Sequence, residues 1–167
     1  MGKSGKGLGI LALIIAIGAL GLSAYQIILP SSSGGGSNVR NVWYDEQTST
    51  FFPITSGYGA IPGLSIMATV NSGESLYVLF NSFAFINNPS SGFFINFRIY
   101  IDENAIDEPM AQIMPDFTLT AAQSFSVTLQ ISTSNLLAGI YNITCRAYSG
   151  GTLNRLFDSS LFVQTYI

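Results

Sequence analysis

The carboxylates Asp102, Glu103, Asp107 and Glu108 fall within seven residues, the densest group of chemically capable side chains in the chain. Four hard oxygen donors so close together could hold Ca²⁺ if a turn gathered them. A carboxylate pair could instead act as acid and base at a glycosidic bond. The spacing argues against both, because the Asp-x-Asp-x-Asp alternation and the turn glycine of a calcium loop are missing. The stretch reads as a solvated hairpin tip, turning at Glu103-Asn104-Ala105.

The rest of the catalytic inventory is thin. There is no His, which removes the imidazole base, the Ser-His-Asp triad and histidine metal ligation. Lys3 and Lys6 are the only lysines, and the single Cys145 can build neither a zinc nor an iron–sulfur cage. Gly34-Gly35-Gly36 is not followed by the Lys-Ser/Thr of a phosphate loop and belongs to a linker. The expectation is a protein that is not an enzyme and carries no cofactor and no metal; a carbohydrate-active enzyme is a distant alternative. Asn142-Ile143-Thr144 is an N-glycosylation acceptor.

These residues sit among short runs of Phe, Ile, Val, Tyr and Thr punctuated by Gly, Asn, Pro and Ser, the pattern of an all-β antiparallel sandwich. Strands are expected at Val42–Tyr44, Phe51–Ile54, Leu64–Val70, Ser75–Ile86, Phe93–Asp102, Met110–Met114, Phe125–Ile131, Gly139–Tyr148 and Ser160–Ile167. Alternation assigns Phe93, Ile95, Phe97, Ile99 and Ile101 to the core, against Phe94, Asn96, Arg98, Tyr100 and Asp102 outside. Tyr141, Ile143, Cys145 and Ala147 share an inner face, so Cys145 reads as a small buried hydrophobe, while Asn142, Thr144 and Arg146 point outward. The run from Leu76 to Ile86 breaks the pattern. Tyr77, Leu79, Phe83 and Phe85 make its second face apolar too, so the strand is either central or covered by a neighbouring subunit.

Upstream of the sandwich, Leu8 to Leu29 runs without a charge behind Lys3 and Lys6. As a helix it would extend roughly 33 Å, enough to cross a hydrocarbon core of about 30 Å. The two lysines orient it with the N-terminus in the cytoplasm and the body outside. The organisation read from this is a cytoplasmic N-terminus (1–7), a transmembrane helix in contact with membrane lipid (8–29), a Ser/Gly linker (30–38) and an extracytoplasmic domain (39–167). A secretory signal cleaved just before Ala24 is the alternative. Running into and along the span, Gly5, Gly9, Ala12, Ala16, Ala19 and Ser23 form a heptad seam of small residues suited to close helix packing.

The body carries four Arg against nine Asp and Glu, a net charge of −5, which disfavours a nucleic-acid partner. Only 9% of the chain is charged while 48% is hydrophobic, too little charge to cover a monomer in the usual way. Self-association follows, with the seam Gly9, Ala12, Ala16, Ala19 and Ser23 and the face Tyr77, Leu79, Phe83 and Phe85 as the expected interfaces.

Two families share features with this arrangement. A late strand Gly139-Ile140-Tyr141-Asn142-Ile143-Thr144, a turn at Gly150-Gly151 and a closing strand Asp158-Ser159-Ser160-Leu161-Phe162-Val163 resemble the jelly-roll heads of the tumour-necrosis-factor and complement-head superfamily. That resemblance implies a trimeric, surface-displayed head. It covers about Val42 to Ile167 and lacks the collagen stalk and disulfides, so receptor binding does not carry over. Lys6-Gly7-Leu8-Gly9 before an apolar helix resembles the processing site of archaellins and archaeal pilins, and the small-residue span, Ser/Gly neck and His-free β-body resemble archaeal surface proteins. Pro30 and the spacer depart from the long pilin helix. The reading is a membrane-anchored, non-catalytic surface module of jelly-roll kind assembling as a homotrimer, with a filament subunit as the alternative.

Overall fold

The structure, a computed structural model, describes residues 38–87, 93–134 and 136–167, without the side chains of Asp107 and Glu108. The expected membrane span at 8–29, with its small-residue seam, lies outside these residues. No helix among the described residues is long and apolar enough to cross a membrane.

Eight strands form: β1 (Val39–Gln47), β2 (Gly59–Val70), β3 (Ser75–Ile86), β4 (Ile95–Ile101), β5 (Asn104–Ile113), β6 (Gln123–Thr133), β7 (Gly139–Ser149) and β8 (Arg155–Tyr166). They make two four-stranded sheets, ordered β1-β8-β3-β6 and β2-β7-β4-β5. Every pairing is antiparallel. The expected all-β sandwich is therefore present. β1 lies beside β8, β2 beside β7, β3 beside β6 and β4 beside β5, so the chain runs as one long ribbon folded back on itself, with successive strand pairs falling in alternate sheets.

The alternation fixes the inner faces as expected. Leu76, Val78, Phe80, Ala84 and Ile86 of β3 are fully buried, as are Ile95, Phe97 and Ile99 of β4 and Ile143, Cys145 and Ala147 of β7. Phe80 and Phe97, from different sheets, meet with ring centroids 5.5 Å apart and mark the centre of the core. Burial also pushes the Cys145 thiol well above its usual pKa, which leaves it an inert apolar side chain. Ser82 falls on the inner face of β3, and its hydroxyl is satisfied by the buried Ser159 hydroxyl at 2.8 Å.

Three expectations are corrected. The strand expected at Met110–Met114 is the end of a longer one, β5, which begins at Asn104 directly after the turn. Phe51–Ile54 is not a strand: Phe51 exchanges both backbone hydrogen bonds with Leu156, at 3.0 and 2.8 Å, but the ladder stops there. Pro53 has no N–H to continue it. The hairpin between β4 and β5 turns at Asp102-Glu103 rather than at Glu103-Asn104-Ala105, because Ile101 already pairs with Asn104. Both turn residues have positive φ, 48° and 66°, as a two-residue type I′ hairpin requires.

The turn at Gly150-Gly151 is a packing requirement. A Cβ on Gly151 would lie 2.4 Å from the Phe93 ring, and Gly150 donates its N–H to the Phe94 carbonyl at 2.9 Å. Glycine lets this turn sit against the segment entering β4.

Candidate functional site

Each sheet has an outward face with aromatic rings; on the first a single arginine, Arg155, lies over Phe85 at 4.6 Å, and on the second two arginines meet. On the β1-β8-β3-β6 sheet, the expected residues Tyr77, Leu79, Phe83 and Phe85 do lie on one outward face, and β3 is an interior strand of that sheet. Phe83 is 42% exposed. Two residues the sequence reading omitted join them. Phe157 of β8 lies 6.4 Å from Phe83 and 6.5 Å from Phe85 between ring centroids, and Phe162 lies 6.5 Å from Tyr77. Alternation alone would put Phe157 and Phe162 on opposite faces. A register shift opposite Asn81–Phe83, with Asp158 at φ 44°, returns both to the outside.

The outward face of the other sheet gathers cations and aromatic rings. Arg98 of β4 and Arg146 of β7 are direct partners across the ladder. The Arg98 guanidinium carbon lies 5.0 Å from the Tyr58 ring centroid, and that of Arg146 lies 4.2 Å from the Tyr100 ring. Tyr58 stands just before β2 and reaches over the sheet, its ring 6.5 Å from Tyr100 and 5.9 Å from Tyr148. Its hydroxyl contacts the Met110 sulfur of β5 at 3.5 Å. Phe94 closes one end, 5.6 Å from Tyr148. Two of the body's four cations thus share one half-buried aromatic patch, each guanidinium over a tyrosine ring.

Like charges directly opposite in a ladder are destabilising. Glu103 relieves this on one side by an ion pair with the Arg146 guanidinium. It does so from a left-handed backbone conformation that a non-glycine residue adopts only at a cost, while its side chain stays 72% exposed. The first two residues of the expected acidic group are thereby assigned. Asp102 ties the hairpin to β7, its carboxylate accepting the Asn142 N–H at 2.7 Å and its N–H donating to the Asn142 carbonyl at 3.0 Å. Asp107 and Glu108 are not part of the expected hairpin tip but lie in β5, because the turn closes at Asp102-Glu103. Among the described residues no three carboxylates gather as a metal site would need.

Asn142 lies on the outward face of β7 as expected, where its amide oxygen accepts the Ser65 hydroxyl at 2.8 Å. The other residues of the acceptor tripeptide are buried, Ile143 in the core and Thr144 at 6% exposure, although alternation puts Thr144 on the outer face. Alternation had already placed Arg98, Tyr100 and Arg146 outside. What the sequence lacked was the pairing of β4 with β7, two strands that no hairpin joins.

No protein-family model and no curated protein matches the sequence. Among solved structures, the chain is similar to that of the infectious bursal disease virus Gx strain, with a TM-score of 0.46 and 16% identity over 81% of this chain and 35% of that one. It is also similar to the infectious bursal disease virus VP2 subviral particle, with a TM-score of 0.41 and 15% identity over 81% and 35% of the two chains. A family 35 carbohydrate binding module from Clostridium thermocellum aligns with a TM-score of 0.28 and 14% identity, over 76% of this chain and 98% of that one. The chain spans about a third of the length of the two viral proteins.

Proposed function

We propose that the protein is a non-catalytic binding module displayed outside a cell membrane. Residues 8–29 anchor it, 30–38 form a short neck, and 39–167 form a jelly-roll head resembling those of the tumour-necrosis-factor and complement-head superfamily. The nested strand pairing supports the jelly roll, an eight-stranded two-sheet architecture. The binding face is the outward patch of Tyr58, Arg98, Tyr100, Arg146 and Tyr148, and its ligand is a carboxylate-bearing sugar. The observation that carries this is the direct opposition of Arg98 and Arg146, each stacked on a tyrosine. Paired guanidinium forks suit a carboxylate, and the rings beside them offer apolar surface to a sugar ring. Glu103 stands in for the ligand carboxylate on Arg146. Titration of the full chain with a galacturonate oligomer and with the matching uncharged galactose oligomer tests this. The anionic oligomer binds and weakens with salt; equal binding of both would refute the role of the arginines.

A second reading, favoured by the outward aromatic face of β3 and β8, is that of an assembled subunit in a homotrimer or a surface filament. The exposed Phe83 beside Phe157, with Leu79 and Phe162 further along, is surface that a partner would cover. Phe83→Ser should then lower the mass of the assembly measured by light scattering.

A further inference from the structure

A sandwich of two open sheets has four edge strands, here β1, β6, β2 and β5. An open edge is a template for strand addition, and proteins guard it with charge, proline or a bulge. Three of these edges are guarded. β1 carries Arg40, Asp45 and Glu46. β5 carries Asp107, Glu108 and Pro109. In β2, Pro62 and Gly63, the latter at φ 77°, lie in a break of register between Ala60 and Ser65.

The fourth edge is bare. β6, QSFSVTLQIST, has eleven residues with no charge and no proline, and its pairing with β3 is unbroken from Leu76 opposite Thr133 to Ile86 opposite Gln123. Among the described residues, no loop backbone pairs with its backbone; the loop before it meets only the Gln123 side chain, through the Asp116 N–H and carbonyl at 3.0 and 2.9 Å. A groove of about 350 Å³ opens between β6 and β5, lined in part by Met114, Phe125 and Val127. The connection leading into β6 exposes Met114, Phe117 and Leu119 at 43–54%.

We infer that β6 pairs antiparallel with β6 of a second copy of this chain, joining two β1-β8-β3-β6 sheets into one of eight strands. The strand is self-complementary. A two-fold axis at its middle residue sets Thr128 opposite Thr128 of the partner subunit, and Ser126 opposite Gln130 of the partner subunit. Ser124 then meets Ser132 of the partner subunit. All three pairs are uncharged and capable of hydrogen bonding, and no like charges meet. A chain with 9% charged residues and one unguarded edge has little else to prevent this pairing. The inference uses a different sheet from the ligand-binding face and stands independently of it.

The test is the mass of the full chain in non-ionic detergent, corrected for detergent by light scattering and refractive index. Thr128→Lys and Thr128→Glu each set like charges against each other across the two-fold axis and should halve the parent's mass. Mixing the two variants in equal amounts should restore it, because Lys then faces Glu. The thermal midpoint of each variant confirms that the fold is kept. Phe83→Ser leaves this edge intact, so a loss of mass there reports the aromatic face instead. A parent that is already a single chain, variants that keep the parent mass, or a mixture that fails to recover would each overturn the β6 pairing. The last outcome would assign the edge to a strand of different sequence.

Discussion

Arg98 and Arg146 stand directly opposite each other across the β4–β7 ladder, each guanidinium lying on a different tyrosine ring. A fold selected for stability alone has no use for this repulsion. Arg98→Gln should therefore leave stability unchanged within about 1 kcal/mol, since the lost cation–π contact of about 0.5–1 kcal/mol offsets the relieved repulsion. Chemical denaturation measures it. A loss above about 3 kcal/mol would make Arg98 a structural residue.

Glu103 occupies Arg146 from a strained backbone, so removing its charge should release that arginine for a ligand. Glu103→Gln is expected to tighten binding of an anionic oligosaccharide severalfold by calorimetry, with little change in stability because exposed ion pairs contribute about 0–1 kcal/mol. Weaker binding would mean that Glu103 itself contacts the ligand.

The core makes the opposite contrast along β4. Phe97 is fully buried against Phe80, while its neighbour Arg98 faces out. Phe97→Ala should cost about 3–5 kcal/mol, a large share of a domain's margin of about 5–15 kcal/mol. Equal, small effects at Phe97 and Arg98 would contradict the register.

Stability should respond to acid but not to pH near neutrality. With no His in the chain, no side chain with an ordinary pKa titrates between about pH 5 and 8. Glu74 accepts the N–H and side-chain amide of Asn71 at 2.9 and 3.0 Å, which holds its carboxyl below the usual carboxylate range. Asp116 is lowered likewise by the Thr118 hydroxyl and N–H. A carboxyl lowered in the folded state contributes stability that is complete above its unfolded pKa and is lost as pH falls through the folded value. The thermal midpoint should be flat from about pH 8 to 5 and fall in the acid range, less steeply in Glu74→Gln. A midpoint that rises on acidification would contradict the assignment.

Much of the sandwich was legible because period-two alternation needs only local sequence. β3 was read with its observed bounds, and the inner faces of β4 and β7 were identified before any pairing was known. What was missed depends on pairing or on backbone sign. Phe157 and Phe162 share a face only because of the irregularity at Asp158, which no alternation reveals. The turn at Asp102-Glu103 has the positive φ usually supplied by Asn or Gly, so the sequence pointed one residue too late. Phe51–Ile54 has strand composition, but Pro53 limits it to one bridge. The Arg98–Arg146 site joins strands 48 positions apart and existed in the sequence only as two unrelated outward residues.

The binding face is tested most directly by titrating a galacturonate oligomer into the full chain, followed by calorimetry at two salt concentrations, beside Arg98→Gln and Tyr58→Ala. Saturable binding to the parent is expected, weakened by salt and reduced about tenfold or more in Arg98→Gln, as loss of a hydrogen bond to a charged group worth about 1.5–3 kcal/mol requires. Tyr58→Ala should weaken it as well, since the ring that orients Arg98 is gone. Binding that is absent from the parent, or unchanged in both folded variants, would contradict the assignment of this face.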